Sequence, residues 1–195
     1  MSVLSLVRTA LVTAALAVPA FGQVQAFGGD APRAAATRML FGPNFTPQGM
    51  LCIQYGAPGW KAEYDAQFDQ IKGQNLRLGK DFWTTFNTSC ALTIGGVEVA
   101  AGAYYLGLKC DAEGKFSLLL LDAKTADAGK QAPWTGATWT PAYTCPLTKT
   151  ATETEAAVMK MSLAGNGQVA HEMTFTLNWG KHQLAAPIVA KIAAT

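Results

Sequence analysis

The sequence predicts an all-β protein, an antiparallel β-sandwich of about 8 to 10 short strands with at most one short surface helix. Three observations predict it. Short runs of strand character recur along the chain, separated by Gly, Pro, Asn and Asp. Apolar and polar side chains alternate with a period of two near the C-terminus. Only one segment has helical spacing.

The chain begins MSVLSLVRTALVTAALAVPAFGQVQA, with one positive charge at Arg8, an uncharged apolar run from Thr9 to Val18, then Pro19 and small residues. That run is too short to span a bilayer, and small residues follow where signal peptidase needs them. Residues 1–22 therefore read as a secretory signal peptide, with cleavage after Gly22 or as late as Ala26. No cysteine sits at either point to take a lipid anchor. Residues 23–37, rich in Ala, Gly and Gln with Pro32, read as a flexible lead-in. Residues 38–195 read as a single sandwich domain. The expected location is outside the cytoplasm, periplasmic or extracellular, with no transmembrane segment in the mature chain.

Loss of Arg8 with the leader lowers Lys plus Arg from 15 to 14, against 13 Asp plus Glu. A net charge this close to zero, without a basic cluster, gives no electrostatic footprint for nucleic acid or an anionic membrane surface. The remaining chain of about 170 residues is long enough to bury roughly 70 % of its surface without a metal or disulfide.

Strands are expected near 38–41, 50–55, 85–94, 97–99, 103–110, 115–122, 142–147, 157–163, 169–179 and 182–189. KAEYDAQFDQIKG places Tyr64, Phe68 and Ile71 on one helical stripe, with Gly73 as a stop. ALTIGG, VEVAAG and AYYLGL read as successive strands turned by Gly95-Gly96 and by Gly102, with Leu92, Ile94, Val97, Val99 and Tyr105 on buried faces. In the last hairpin His171, Met173, Phe175, Leu177 and Trp179 share one face, and Met159, Met161 and Leu163 form the matching set on the preceding strand. A three-residue Gly165-Asn166-Gly167 loop sets Met161 opposite His171 and Met159 opposite Met173. GNGQVA within this hairpin fits a dinucleotide fingerprint in letters only, because strands rather than a strand and a helix flank it.

Cys52, Cys90, Cys110 and Cys145 form an even set, which in an exported chain favours disulfides with three possible pairings. The near-symmetry of TSCALTIGGVEVAAGAYYLGLKC about Ala100 favours Cys90 with Cys110, leaving Cys52 with Cys145. The alternative is four buried thiols packing as small hydrophobes. No C-x-x-C pair is present, so neither a zinc knuckle nor a thioredoxin-type site is indicated.

Nucleophilic hydrolysis needs a hydroxyl or thiol, a base and an orienting group within reach. Beyond the leader the chain has Ser89, Ser117 and Ser162, two histidines and no G-x-S-x-G, so no catalytic residue is assigned. Glu63, Asp65, Asp69 and Asp81 are the carboxylates from which a glycoside-cleaving pair would be drawn. Met159, Met161, His171 and Met173 would gather thioethers and an imidazole on one hairpin face, a soft set suited to Cu(I); the competing reading is methionines filling a core. HEMTF fails the zinc signature H-E-x-x-H at its last position. Residues 124–144 are turn-rich yet carry Trp134, Trp139 and Tyr143, which suit stacking on sugar rings or anchoring a partner. The competing reading is that they fold back and plug one end of the sandwich.

IQYGAPGWK at 53–61, FWTTFNTSCALTIGG at 82–96, VAAGAYYLGL at 99–108 and FTLNWGKHQLAAPI at 175–188 together resemble the exported bacterial family called domain of unknown function 2911. The resemblance spans most of residues 50–190. It implies an antiparallel β-sandwich in a cell-envelope protein and implies no activity. Members commonly carry a Trp-Arg pair followed by Gly-Ala-Asn where this chain reads Trp83-Thr84-Thr85-Phe86-Asn87; Trp83 and Asn87 match and the arginine does not. Lys61 is the nearest match to a basic residue that follows the Tyr-x-x-Pro segment. Trp83, Asn87 and Lys61 thereby join Trp134, Trp139 and Tyr143 as candidate ligand-binding residues. The expected function is an exported, non-catalytic module of the cell envelope that binds a ligand or protein partner or serves a structural role, with no cofactor. The alternatives are copper binding on the final hairpin and hydrolysis of glycans.

Overall fold

Period-two alternation builds ten antiparallel strands among the residues that the computed structural model describes, 32–67 and 69–192. The expected signal peptide, residues 23–31 of the expected lead-in and Phe68 of the expected helical stripe lie outside the described residues. In chain order the elements are β1 (Ala34–Phe41), β2 (Pro47–Gly56), β3 (Gln74–Arg77), β4 (Lys80–Thr88), β5 (Ala91–Ile94), β6 (Val97–Val99), β7 (Gly102–Cys110), β8 (Phe116–Asp122), α1 (Ala123–Ala128), β9 (Tyr143–Gly165) and β10 (Glu172–Lys191). They form one continuous sheet in the order β1-β2-β4-β7-β8-β9-β10-β5-β6. β3 pairs with residues 107–110 of β7, directly beyond the stretch of β7 that pairs with β4.

The sheet folds over on itself because β9 and β10 serve both of its halves. Residues 143–147 of β9 pair with β8, and its later residues pair with β10, which in turn carries β5 at its far end. Leu51, Ile53, Phe86, Leu106 and Leu120 from one half meet Met161, Phe175, Leu177, Leu92 and Ile188 from the other in a single core. A hydrogen bond joins the halves across this core, from the Met161 N–H to the Tyr55 hydroxyl (2.8 Å). The open edge of β1 returns toward the end of β9, where the Arg38 guanidinium packs over Gly165.

Several expectations need correction. The lead-in was expected to run to residue 37, but β1 begins at Ala34, and Ala34 and Ala36 pack on the core. These side chains are small enough to lack a strand signature of their own. The 85–94 strand is two, β4 and β5, and the four expected strands between 142 and 189 are two long ones, β9 and β10. β3 was not expected. KAEYDAQFDQIKG forms a short 3-10 turn, Ala62–Gln67, rather than an α-helix; the α-helix among the described residues is α1, where the Asp122 carboxylate accepts from the Thr125 N–H (2.8 Å) as an N-cap. No helix among the described residues is long and apolar enough to cross a membrane.

The β9–β10 register also differs from expectation. Leu177 lies opposite Met161 and Phe175 opposite Leu163, and the chain reverses through a longer turn in which the Asn166 N–H donates to the Glu172 carbonyl (2.9 Å). The pairing slips by an even number of residues, so the paired side chains keep their predicted face, and Met159, Met161, Leu163, Met173, Phe175 and Leu177 are all buried, whereas His171 falls in the turn before β10.

All four cysteines are free thiols, which corrects the expected disulfides. Cys52 alternates outward on β2 between the core residues Leu51 and Ile53, while Cys145 is fully buried in the core, so the two sit on opposite faces of the sheet. β4 and β7 do pair, but with Thr88 opposite Gly102 and Thr84 opposite Leu106. That register leaves Cys90 beyond the end of β4, and Cys110 is paired with Gln74 and Phe116 instead.

Candidate ligand-binding cleft

The predicted aromatic residues separate into two groups. Trp83 points off the outer face of β4, stacks on Tyr105 of β7 (4.7 Å, 3°) and lies against Trp139 (5.3 Å, 46°). With Leu119, Leu121 and Ala126 they form a second, smaller core on the outside of the sheet, under α1 and the loop that follows it. The Trp139 indole N–H donates to the Ala132 carbonyl (2.9 Å), and the ring is only 6 % exposed. Tyr105 donates its hydroxyl proton to Asp127 (3.0 Å), and burial followed by this bond raises its pKa. Trp134, by contrast, is 69 % exposed against Phe82. The loop therefore folds Trp139 back as a plug and presents Trp134 without it.

Tyr143 packs edge-on to Tyr104 (5.8 Å) at the start of β9. Burial, then the neighbouring Tyr143, pushes the Tyr104 phenol up to about 12, so it stays a neutral donor to the Ala100 carbonyl (2.9 Å). Asn87 is exposed on β4 opposite Cys52 and Ala103. Lys61 is exposed and ion-paired with Glu63 (3.5 Å). The structure thus brings Trp83 and Trp139 together and leaves Asn87, Lys61, Tyr143 and Trp134 apart from that pair.

The copper set is not assembled as expected. Met159, Met161 and Met173 are buried in the core, whereas His171 is half-buried in the turn before β10, its carbonyl accepting from Ala190. The carboxylates near the 3-10 turn each have a partner: Glu63 is ion-paired with Lys61 and Asp69 with Lys72 (2.7 Å), and Asp65 is hydrogen-bonded to the His182 ring (2.7 Å). Ser162 shares a hydrogen bond with Thr176 across the outer face of the hairpin (2.6 Å).

A different site emerges where the sheet folds. Residues 57–60 cross from β2 to β9, with the Trp60 N–H donating to Ala157 (2.7 Å) and the Met159 N–H to Pro58 (2.9 Å). The Trp179 indole donates to the same Pro58 carbonyl (3.1 Å). This tie places Trp60, Tyr64 and Trp179 with their centroids 5.0 to 5.6 Å apart, and His182 edges onto Trp60 at 5.6 Å. Gly180 permits the packing. It lies in a bulge of β10 with φ of 59°, and a Cβ there would enter the Trp60 indole.

Behind these rings lies a cleft of about 210 Å³. Its wall is apolar, formed by Leu78, Leu108, Phe116, Met159, Leu177 and Leu184. Tyr64 and Gln67 of the 3-10 turn, with Ile71, cover one side, and the Asp65–His182 bond fastens the turn to β10. Arg77 and Lys149 stand at the rim, the Lys149 ammonium 5.5 Å over the Phe116 ring. Among the described residues no carboxylate, Ser, Thr or Cys lines the cleft.

Trp60, Trp179 and His182 were not among the predicted site residues. Their signal lay in two of the quoted segments, IQYGAPGWK and FTLNWGKHQLAAPI, which meet here although more than a hundred residues separate them. Among the described residues no group of three or more His, Cys, Asp and Glu could hold a metal ion. No family model, curated protein or solved structure matches the chain.

Proposed function

We propose that the protein is an exported, non-catalytic binding module of the cell envelope, in keeping with the family its motifs resemble, and that the cleft at the fold of the sheet is its ligand seat. The observation that carries this reading is the concave apolar wall behind an aromatic mouth. A concave, mostly apolar site with few polar groups is the ordinary form of a small-molecule pocket. The polar atoms at the mouth are already engaged, Trp179 with Pro58 and His182 with Asp65. Affinity then comes chiefly from apolar burial, at about 25 cal/mol per Å². The volume suits one slim apolar molecule or the tail of a larger one.

Titration with the neutral fluorophore 1-N-phenylnaphthylamine tests the reading. The expected result is saturable one-to-one enhancement, with quenching of the tryptophan emission and at least a tenfold loss of affinity in Trp179→Ala. A linear, non-saturating response, or equal binding by Trp179→Ala and Trp134→Ala, contradicts the cleft as the seat.

A further inference from the structure

We infer that the ligand of this cleft is a single-chain amphiphile with a carboxylate head, its tail against the leucine wall and its head at the Arg77 and Lys149 rim. The inference rests on the cleft being the binding seat and adds the head-group chemistry. Among the described residues the wall from Leu78 to Leu184 offers a tail no polar partner, and its volume of about 210 Å³ matches one slim chain. What decides the head is the charge at the rim. Among the described residues the Lys and Arg side chains lining the cleft are Arg77 and Lys149, and the Lys149 ammonium lies 5.5 Å over the Phe116 ring. Glu63 and Asp69 of the cover are ion-paired with Lys61 and Lys72, and Asp65 is hydrogen-bonded to the His182 ring. The rim therefore presents positive charge to an incoming head, and the planar guanidinium of Arg77 matches a carboxylate edge.

The competing occupant is a cationic amphiphile held by the aromatic rings. A cation needs an open ring face within about 6 Å of the centroid. Here Trp60 meets both Tyr64 and Trp179 edge-to-face, at interplanar angles of 80° and 83°, so in each pair the edge of one ring covers a face of the other. Among the described residues no carboxylate lines the wall to support a cation.

The test is displacement of bound 1-N-phenylnaphthylamine by decanoate, decanol and decyltrimethylammonium, each below its micellar concentration, at low and high salt. Decanoate is expected to displace the probe at roughly fivefold lower concentration than decanol, since two exposed ion pairs contribute modestly. The advantage should shrink at high salt and vanish in the Arg77→Gln, Lys149→Gln double variant. The salt comparison needs no variant, so a folding defect cannot mask the answer. Equal displacement by decanoate and decanol, or tightest displacement by the cation, overturns the carboxylate head while leaving the cleft as a binding seat. Failure of the probe itself to bind overturns both.

Discussion

Gly180 is the residue at which one added methyl group has the largest predicted consequence. Its left-handed backbone (φ 59°) costs an L side chain about 1 to 2 kcal/mol, and the Cβ would collide with the Trp60 indole, whose position depends on the Pro58 tie to Trp179. Gly180→Ala should lower Tm by several degrees, shift tryptophan emission to the red and weaken 1-N-phenylnaphthylamine at least tenfold. Gly167→Ala is the control, because nothing lies within 4 Å of its Cβ and its φ is ordinary; it should be neutral or slightly stabilising. Equal behaviour of the two variants in thermal melts and probe titrations would falsify the packing role assigned to Gly180. At this scale the sequence was only partly legible. Alternation placed Met159, Met161, Met173 and Phe175 on the buried face, because a side chain's face depends on residue parity alone. The meeting of Trp60 with Trp179 was not legible, because it depends on how the sheet folds and on a glycine whose φ no local pattern reveals.

Among the elements, α1 and the loop after it explain why β8 is buried on both faces. In FSLLLLD, Leu118 and Leu120 face the main core, while Leu119 and Leu121 face Trp83 and Trp139. An uninterrupted apolar run is the mark of a strand covered on both sides, and here the second cover is the plug formed by Trp139. Trp139→Ala should therefore cost about 3 to 5 kcal/mol and lower Tm by roughly 10 °C. Trp134→Ala should change stability by no more than about 0.5 kcal/mol, since its ring is exposed. Paired thermal melts decide it; similar losses for the two variants would mean that the loop is not anchored through Trp139. The helix expected at KAEYDAQFDQIKG failed for a related reason. Tyr64 and Ile71 face the cleft as the stripe implied, but so short a segment held by β10 through Asp65 and His182 settles into a 3-10 turn. α1 has six residues, too few for a helical period to register.

At the scale of the whole molecule, the fold class was legible because turn residues and period-two runs are local, whereas the join of the sheet halves was not. β9 and β10 run on through TATETE and NWGKHQ, whose polar and glycine-bearing residues read as breaks between shorter strands. Bulges at Gly180 absorb the mismatch in length and turn the sheet over. The same folding keeps the cysteines apart, so stability rests on the continuous core rather than on cross-links. A chain of this size needs none. Burial also guards the thiols: it pushes Cys145 up to about 11, and burial first and then Asp111 raise Cys110, so neither is appreciably thiolate at neutral pH. Cys52, on the outer face, is bonded only weakly by the Thr37 hydroxyl at 3.5 Å. Native protein treated with a thiol reagent at pH 8 should therefore react at Cys52 alone, and all four cysteines should react after unfolding. Melting with and without reductant should give the same Tm. Recovery of fewer than four thiols from unreduced, unfolded protein, or a Tm that drops with reductant, would show that cross-links hold the sheet together and that the chain folds in an oxidising compartment to a register other than Thr88 opposite Gly102.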